Sequence, residues 1–375
     1  MERKVLVLQG GGALGAYQAG AYQALVAGGQ IPDWVAGISI GAINAAIIAG
    51  NPPEKRVQRL QRFWHTVSSN LTASPLATDD ASRKLFNETS AALVASMGVP
   101  GFFSPRFPPS MFAPAGSDAA VSIYDTSPLR ATLLELVDFD LLNSGKVRLS
   151  VGAVQVRTSN MHYFDTKTQT VTPDHIMASG ALPPGFPPIT IDGEAHWDGG
   201  LVSNTPLQYV LDSQGRGDMC IFQIDLFSAI GPLPQTLFEI PRREQDIRYS
   251  SRTRLNTDQF KEVQTYRRAI KRIERKLPAD LKDTVDWKLL AQLGCDAAIT
   301  IVHLIHRKNA SSTQSMDYEF SRYTMEERWQ AGSDDVQRTL SHPDWIGRKR
   351  PDEGVTVLDL TREYRLPHAK PKAAE

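Results

Sequence analysis

The sequence has few of the features that mark disulfide-rich, metal-binding or membrane-spanning proteins. Its 375 residues include two cysteines, Cys220 and Cys295, and both stand in apolar, strand-like surroundings without a CxxC spacing. We therefore expect two buried free thiols and no disulfide framework. No group of His, Cys, Asp and Glu has the spacing of a metal site, so we expect neither a metal nor a cofactor.

Long apolar runs and an excess of one charge are also missing. The apolar stretch after residues 1–4 lasts only four residues, which is shorter than the hydrophobic region of a secretory signal. Nothing approaches the ~20 apolar residues of a membrane span. Basic and acidic residues number 41 each, which argues against a general binder of nucleic acid. We expect a cytoplasmic protein in which any membrane contact is peripheral and transient.

One serine stands in a pattern typical of esterase nucleophiles. The segment Gly37-Ile38-Ser39-Ile40-Gly41 lies between an apolar run, 34–36, and a small-residue stretch, 42–46. This order predicts a strand, a tight turn and a helix, which together form the nucleophile elbow that pushes a serine side chain into a cleft. Glycine on either side removes Cβ atoms where the turn meets the strand and the helix. Because a single GxSxG is common, the assignment of Ser39 depends on two accompanying motifs.

A glycine loop near the N-terminus is the first of these motifs. Residues 4–8 predict a buried strand that runs directly into the segment Gly10–Gly15, GGGALG. A helix is expected from about 13 to 27. Glycines at such a turn leave several backbone N–H groups unobstructed, and these groups can bind an anion or stabilise the oxyanion of a tetrahedral intermediate.

An aspartate far downstream is the second motif. Residues 189–197 predict a β-hairpin with its turn at Asp192-Gly193, and Asp198 falls at the end of the return strand. Gly199 and Gly200 follow, and they allow another segment to approach the carboxylate closely.

In this order and spacing, the three motifs resemble those of the patatin-like phospholipase family, some bacterial members of which carry an extra C-terminal region. The resemblance covers roughly residues 4–212. It implies an α/β fold of three layers, α/β/α, with a mostly parallel central sheet, followed by a mainly helical C-terminal extension. It also implies a catalytic dyad of Ser39 as nucleophile and Asp198 as general base. It further implies an oxyanion hole formed by Gly10, Gly11 and Gly12. The glycines that it implies as supporting residues of the motifs are Gly15, Gly37, Gly41, Gly199 and Gly200.

The function implied by the resemblance is that of a serine esterase or lipid acyl hydrolase that works through an acyl-serine intermediate. Family members usually carry arginine or lysine after the loop glycines, where this chain has Leu14. Because a cation that could neutralise a head group is absent, we expect an acyl ester, with lipid preferred, rather than a phospholipid specifically. Transfer of the acyl group to an alcohol is the closest alternative, and the sequence defines neither head group nor chain length.

The sequence also allows three other interpretations. Aspartate is a weak base, with a reference pKa near ~3.9, and His196 would share a strand face with Asp198, so a histidine-assisted site competes with the dyad. The loop also satisfies the GxGxxG dinucleotide fingerprint, although Asp33, the acidic residue at roughly the right offset, precedes the second strand instead of following it. The third alternative is a folded lipid-binding module without catalysis.

The pattern along the chain predicts a catalytic domain over residues 1–227 and a C-terminal extension over 228–375, with a disordered tail from about 368. An insertion at about 68–121 contains a segment rich in proline and phenylalanine, 99–112. We expect that segment to be either a lid or a loop whose aromatic side chains pack on the core. The extension could form a surface for homo-oligomerisation, a membrane contact or a cover over the active site, and the sequence does not decide among them.

Overall fold

Helices cover both faces of one large sheet, which is the three-layer α/β/α arrangement implied by the motifs. The computed structural model describes residues 2–77, 79–213, 215, 217–307, 314–351 and 354–361, without the side chains of residues 238, 251–258 and 314. The tail predicted from about 368 therefore lies outside the described residues.

The strands form in short runs rich in β-branched and aliphatic residues, which favour extended backbone. In the described part of the chain they are β1 (Arg3–Leu8), β2 (Trp34–Gly37), β3 (Ser104–Pro105), β4 (Tyr124–Asp125), β5 (Arg148–Gln155), β6 (Met161–Asp165), β7 (Ile189–Ile191), β8 (Glu194–Asp198), β9 (Met219–Asp225), β10 (Ile299–Ile305) and β11 (Val355–Leu358). The main sheet has the order β11-β10-β9-β1-β2-β5-β8-β7, with β6 paired to β5, and β3 and β4 form a separate antiparallel pair.

The centre of the main sheet is parallel. β1 pairs in parallel with β2 and β9, β2 pairs with β5, and β10 pairs with β9 and β11. The β5–β6, β5–β8 and β7–β8 pairs are antiparallel. Because the carboxyl ends of parallel strands meet at one edge, the segments that follow β1, β2, β9 and β10 assemble there, at the place where ligands bind to open α/β sheets.

The connections between strands are mostly helical. In the described residues the α-helices are α1 (Gly15–Ala27), α2 (Ile40–Ala49), α3 (Pro53–Val67), α4 (Asp80–Met97), α5 (Ser127–Leu136), α6 (Phe139–Asn143), α7 (Pro173–Ser179), α8 (Leu207–Asp212), α9 (Ile240–Glu274), α10 (Ala279–Lys282), α11 (Val285–Leu293), α12 (Arg322–Ser341) and α13 (Pro343–Ile346). No helix in this described part combines the length and apolar composition needed to cross a bilayer.

The core lies on both faces of β1, as expected of a central parallel strand. Leu6 and Leu8 belong to the larger apolar cluster, which includes residues of α1, α2, α3 and α12. Val5 and Val7 belong to a second cluster with residues of α8 and with Phe260 of α9. Different sets of helices thus cover the two faces of the sheet. Because the sheet is held from both sides, the loops at its carboxyl edge have a fixed position.

The C-terminal region is built into the same sheet. β10 and β11 extend it beyond β9, so the sheet crosses the boundary expected near residue 227. On one face of the sheet α12 packs along α1, and the Tyr17 hydroxyl of α1 donates a 2.8 Å hydrogen bond to the buried Asp335 of α12. The extension is mainly helical, as expected, but its two strands and α12 share the core of the preceding region.

The local elements predicted from sequence can be compared directly with the structure. The helix expected over 13–27 begins at Gly15 after a single 3-10 turn, Gly12–Leu14. The hairpin turn at Asp192-Gly193 is confirmed, since Ile191 pairs with Glu194 across it. Cys220 and Cys295 are buried free thiols, in agreement with the prediction.

The insertion over about 68–121 is more regular than its sequence suggests. It contains α4, whose buried face is formed by Asn87, Ser90, Ala91 and Val94. Because half of these residues are polar, the apolar periodicity of the helix is weak. In the segment 99–112, Phe102 and Phe103 are buried, as expected of a loop that packs on the core, whereas Phe107, Met111 and Phe112 are exposed.

We predict that Gly332→Ala destabilises the protein, although alanine favours helices. A Cβ atom at Gly332 would lie 2.0 Å from the Tyr17 carbonyl oxygen, and one at Gly20 would lie 1.8 Å from the Trp329 carbonyl oxygen. The backbones of α1 and α12 would have to separate, which should lower the free energy of unfolding by about 1–3 kcal/mol. Chemical denaturation measures the change. Glu326→Ala, an exposed site on the same helix, is the control, and an equally small effect of both variants would contradict the packing.

Candidate active site

Ser39 occupies the turn between β2 and α2, and its backbone is strained there. Its φ is 55° and its ψ is −124°, a conformation that residues other than glycine rarely adopt. The Ser39 N–H donates to both the carbonyl oxygen, at 3.1 Å, and the hydroxyl, at 3.0 Å, of Ser179. The Ser39 carbonyl oxygen accepts from Ala42 and Ile43 at the start of α2. These bonds hold the elbow and leave Ser39 half-buried between buried neighbours.

Close backbone contacts explain the glycines of the elbow. A Cβ atom at Gly37 would lie 2.3 Å from the carbonyl oxygen of Gly41, and one at Gly41 would lie 2.4 Å from the carbonyl oxygen of Leu8. Neither position has room for a side chain. The other supporting glycines also have close neighbours, which are the Ile40 side chain for Gly15, the Gly152 carbonyl oxygen for Gly199, and the Asn204 and Asp198 side chains for Gly200.

The glycine loop contains two backbone donors without an acceptor in the part of the chain that the structure describes. Among the described residues, no oxygen accepts a hydrogen bond from the N–H groups of Gly11 and Gly12. The N–H of Gly10, in contrast, donates to the Asn204 carbonyl oxygen at 3.1 Å. The expected set of oxyanion donors is therefore corrected: Gly11 and Gly12 are available for that role, and Gly10 is already engaged. Leu14, at the position where the family usually has a cation, is buried in the core.

Asn204, which the motifs do not assign to the site, joins the aspartate loop to the glycine loop. Its Nδ2 donates a 3.0 Å hydrogen bond to the Gly10 carbonyl oxygen, while its own carbonyl accepts from the Gly10 N–H. The Asn204 side chain is buried, and α8 starts only at Leu207. This pair of bonds fixes Gly10, which lies so close to the elbow that a Cβ atom on it would be 3.1 Å from that of Ser39.

Asp198 ends β8 beside the elbow and is almost fully buried. Its N–H donates to the Ala181 carbonyl oxygen at 3.0 Å, and its carboxylate accepts from the Gly200 N–H at 2.7 Å. Burial raises the pKa of Asp198 to about 6, and hydrogen bonds from the Ser39 hydroxyl and the Gly200 N–H oppose that rise. The structure thus brings Ser39 and Asp198 together, with the carboxyl group a stronger base than an ordinary aspartate.

The histidine closest in sequence to Asp198 is engaged elsewhere. The Nδ1 of His196 lies 2.9 Å from the Glu194 carbonyl oxygen, and its Nε2 lies 3.4 Å from Nδ1 of His162. Burial lowers the pKa of His196, which favours the neutral ring. These contacts account for both ring nitrogens and do not involve Ser39 or Asp198. They favour a direct Ser39–Asp198 pair over a histidine-assisted site.

A buried glutamine holds the glycine loop from the other side. Gln9 follows β1 directly, and its Oε1 accepts from the N–H groups of Leu226 and Phe227 at 2.6 and 3.0 Å. Its Nε2 donates to the Thr205 hydroxyl at 2.9 Å and to the Tyr249 carbonyl oxygen at 3.0 Å. The site thus depends on residues far apart in sequence, which no local motif in the chain could indicate.

The C-terminal region also reaches the glycine loop. A Cβ atom at Gly12 would lie 2.2 Å from the backbone carbonyl oxygen of Asp317, so this later segment packs directly on the loop. The Asp317 carboxylate accepts a 2.9 Å hydrogen bond from Gln245 of α9. Burial raises the pKa values of Tyr249 and Tyr318, and the charge of Asp198 raises them further, so both phenols lie near Asp198.

The geometry does not suit a dinucleotide. Asp33 precedes β2, and its carboxylate accepts a 2.9 Å hydrogen bond from the Lys4 N–H. That position lies at the amino ends of β1 and β2, the edge opposite to the glycine loop, whereas the fingerprint needs an acid at the carboxyl end. In the described residues, no group of three or more His, Cys, Asp or Glu side chains is arranged to hold a metal ion.

Comparison with known families agrees with this geometry. The profile described as patatin-like phospholipase matches residues 6–211, more than half of the chain, and includes Ser39, Asp198 and the glycine loop. The chain belongs to the patatin-like phospholipase family. A second profile, described as patatin phospholipase, matches residues 247–352. Both regions of this patatin-like chain thus resemble patatin sequences. Among curated protein sequences none matches it significantly.

The solved structures that align with this patatin-like protein have low sequence identity to it. VipD from Legionella pneumophila is 15% identical, with 97% of this chain and 73% of that chain covered and a TM-score of 0.37. The type III effector protein ExoU is 13% identical, with 90% and 53% covered and a TM-score of 0.32. A chain of the SpcU–ExoU complex from Pseudomonas aeruginosa is 16% identical, with 70% and 52% covered and a TM-score of 0.28. The chain spans about half the length of these last two.

We predict that kcat/KM for a soluble ester rises with pH through about 6. The base form of Asp198 is the carboxylate, and burial raises its pKa to about 6. Below that pH, kcat/KM should fall about tenfold per unit, because the fraction of carboxylate falls in that way. A profile in which kcat/KM begins to fall only near pH 4 would contradict the raised pKa.

A stability measurement on Asp198→Asn provides the control for this pH profile. A carboxyl group whose folded pKa lies above its unfolded value stabilises the fold when protonated, and this contribution is lost as pH rises from about 4 to about 6. The amide variant should therefore be at least as stable as the wild type at pH 8, while its turnover is lost. A marked loss of stability at pH 8 would show that the carboxylate is needed for folding instead.

We predict that Asn204→Ala lowers kcat at least tenfold with a smaller effect on KM, because the glycine loop loses a hydrogen bond that positions it. Asn51→Ala is a matched control. The Asn51 side chain is also buried and donates to the carbonyl oxygens of Ile47 and Leu136, away from the glycine loop. Both variants should unfold more easily by about 1–3 kcal/mol. If both variants lost kcat equally, Asn204 would contribute only to general stability and not to the position of the glycine loop.

Proposed function

We propose that this protein is a serine esterase or lipid acyl hydrolase that uses Ser39 and Asp198 as a catalytic dyad. The observation that carries the proposal is the meeting of three groups at one edge of the sheet. These are a serine on a strained elbow, a buried aspartate whose pKa is raised to about 6, and two unused backbone donors. Family membership supports a lipid ester as the substrate class.

In the first half-reaction, the Ser39 Oγ attacks the carbonyl carbon of the ester while Asp198 accepts the hydroxyl proton. The carbonyl oxygen becomes an oxyanion, which the Gly11 and Gly12 N–H groups stabilise by hydrogen bonds. The start of α2 adds its partly positive N-terminus to this environment. The tetrahedral intermediate then collapses, and the alcohol leaves with the proton held by Asp198.

The second half-reaction releases the acid. Asp198, again a carboxylate, removes a proton from a water molecule that attacks the acyl-Ser39 carbonyl. The oxyanion forms at the same pair of donors, and its collapse returns the proton to the Ser39 oxygen. An aspartate can perform both proton transfers without an imidazole because burial brings its pKa to about 6, closer to neutral pH than that of an ordinary aspartate.

The assignment of Ser39 is tested by covalent labelling. A fluorophosphonate should increase the intact mass of the wild-type protein by one covalent adduct, because the strained elbow presents an activated hydroxyl. Ser39→Ala should abolish the adduct and lower ester hydrolysis by at least about 10³-fold. Ser341→Ala, at an exposed serine far along the chain, is the control and should label normally. An adduct that persists in Ser39→Ala, or none in the wild type, would exclude Ser39 as the nucleophile.

A further inference from the structure

An irregular loop between β3 and β4 exposes several large apolar side chains. We call residues 106–123 the rim loop. The exposed fractions of Phe107, Met111 and Phe112 are 97%, 83% and 71%, and Val121 and Ile123 are about half exposed. Single exposed apolar residues are ordinary, but several on one short loop mark an interaction surface.

The rim loop is attached to the wall of the active site. The Ile123 N–H donates to the Pro184 carbonyl oxygen at 3.0 Å, and the Tyr124 N–H donates to the Gly185 carbonyl oxygen at 2.9 Å. The turn that supplies these acceptors follows Gly180, where a Cβ atom would lie 3.9 Å from the Ser39 Oγ. A few residues of chain therefore separate the loop from the nucleophile.

Packed aromatic rings connect the base of the rim loop with the protein interior. The ring centroid of Phe103 lies 4.7 Å from that of Tyr124 and 5.1 Å from that of Phe186. Phe102 packs on Phe103 at 5.4 Å and on Phe320 at 6.0 Å. These rings thus link the base of the rim loop to Phe186, on the turn that follows Gly180.

Hydrogen bonds within the rim loop hold its shape while leaving its apolar side chains outside. The Arg106 Nε donates to the Ser122 hydroxyl at 3.0 Å, and that hydroxyl donates to the Asp118 carbonyl oxygen at 2.8 Å. The Ser110 hydroxyl donates to the Ser122 carbonyl oxygen at 2.5 Å. The exposure of Phe107, Met111 and Phe112 is therefore a property of a cross-linked loop.

The charge of the rim loop distinguishes between the classes of partner. Arg106 and Asp118 are its only charged residues, whereas charged residues make up 22% of the whole chain. A surface with so few charges and no net charge has little electrostatic means of recognising a polar protein surface. It loses little hydration, however, when it enters a hydrocarbon phase.

We propose that the rim loop inserts Phe107, Met111 and Phe112 into the surface of a lipid assembly that holds the ester substrate. The inference rests on the proposed function, because it places the loop where the ester group would leave the lipid phase and reach Ser39. The contact is peripheral and reversible, as expected for a short apolar loop.

A second exposed apolar surface offers a matched control. On α11 the side chains of Val285, Leu289 and Leu293 are 82%, 64% and 53% exposed. They lie on one side of the helix at a spacing of four residues, and the stripe is flanked by Asp286 and Lys288. The experiment therefore has to distinguish vesicle binding through the rim loop from vesicle binding through α11.

Binding is measured without turnover, in the Ser39→Ala background, by co-sedimentation with phosphatidylcholine vesicles. The triple variant Phe107→Gln, Met111→Gln and Phe112→Gln should lower the partition coefficient at least tenfold. The matched triple variant Val285→Gln, Leu289→Gln and Leu293→Gln should bind within twofold of the parent. Binding that survives the rim-loop changes, or is lost through the α11 changes, would overturn the proposal, as would an absence of binding by the parent.

Activity of the Ser39-containing protein gives a second readout. With the rim-loop variant, kcat/KM for a short-chain soluble ester should stay within twofold, while hydrolysis of the same ester group carried on a lipid in vesicles should fall at least tenfold. An equal loss on both substrates would mean that the loop shapes the site instead of contacting lipid. If the wild type hydrolyses neither ester, the proposed function fails, and the vesicle binding of Ser39→Ala still decides the role of the loop.

Discussion

The contact between the elbow and the end of β1 is the constraint on which the site depends. Gly41 at the start of α2 lies against the carbonyl oxygen of Leu8, where even a methyl group would not fit. This approach brings the loops that follow two adjacent parallel strands to one point. Ser39 takes its strained conformation at that point, held by Ser179, and the donors of Gly11 and Gly12 follow a few residues after Leu8. A side chain at position 41 would push the two loops apart and separate Ser39 from the N–H groups of Gly11 and Gly12.

Burial explains how a carboxyl group could do the work of an imidazole here. Exclusion of water from Asp198 disfavours its charged form and raises its pKa to about 6. The same exclusion strengthens hydrogen bonds from backbone donors to a developing oxyanion. Asn204 joins the two loops with a pair of hydrogen bonds to Gly10, so the carboxylate loop and the donor loop hold a common position.

The C-terminal region takes part in this scaffold. It adds β10 and β11 to the sheet, packs α12 on α1, and places the Asp317 carbonyl oxygen against Gly12. Arg328 of α12 is buried and donates to the carbonyl oxygens of Met316 and Glu319, which fixes the segment that reaches the glycine loop. We therefore expect the region after residue 227 to matter for the geometry of the site and for its stability.

The sequence by itself determined the features that depend on neighbouring residues. The elbow at Ser39, the glycine loop and the hairpin before Asp198 are turns with recognisable local patterns, so their order along the chain is informative. The close contacts that require glycine at positions 12 and 41 are made by distant segments. Only the tertiary structure decided which loop amides are available, because the acceptor of the Gly10 N–H is Asn204, far along the chain. It also decided the exposure of Phe107 against the burial of Phe103, two side chains of the same type four residues apart. Hydrogen-bond partners and burial are set by segments distant in sequence, and a local pattern carries no information about them.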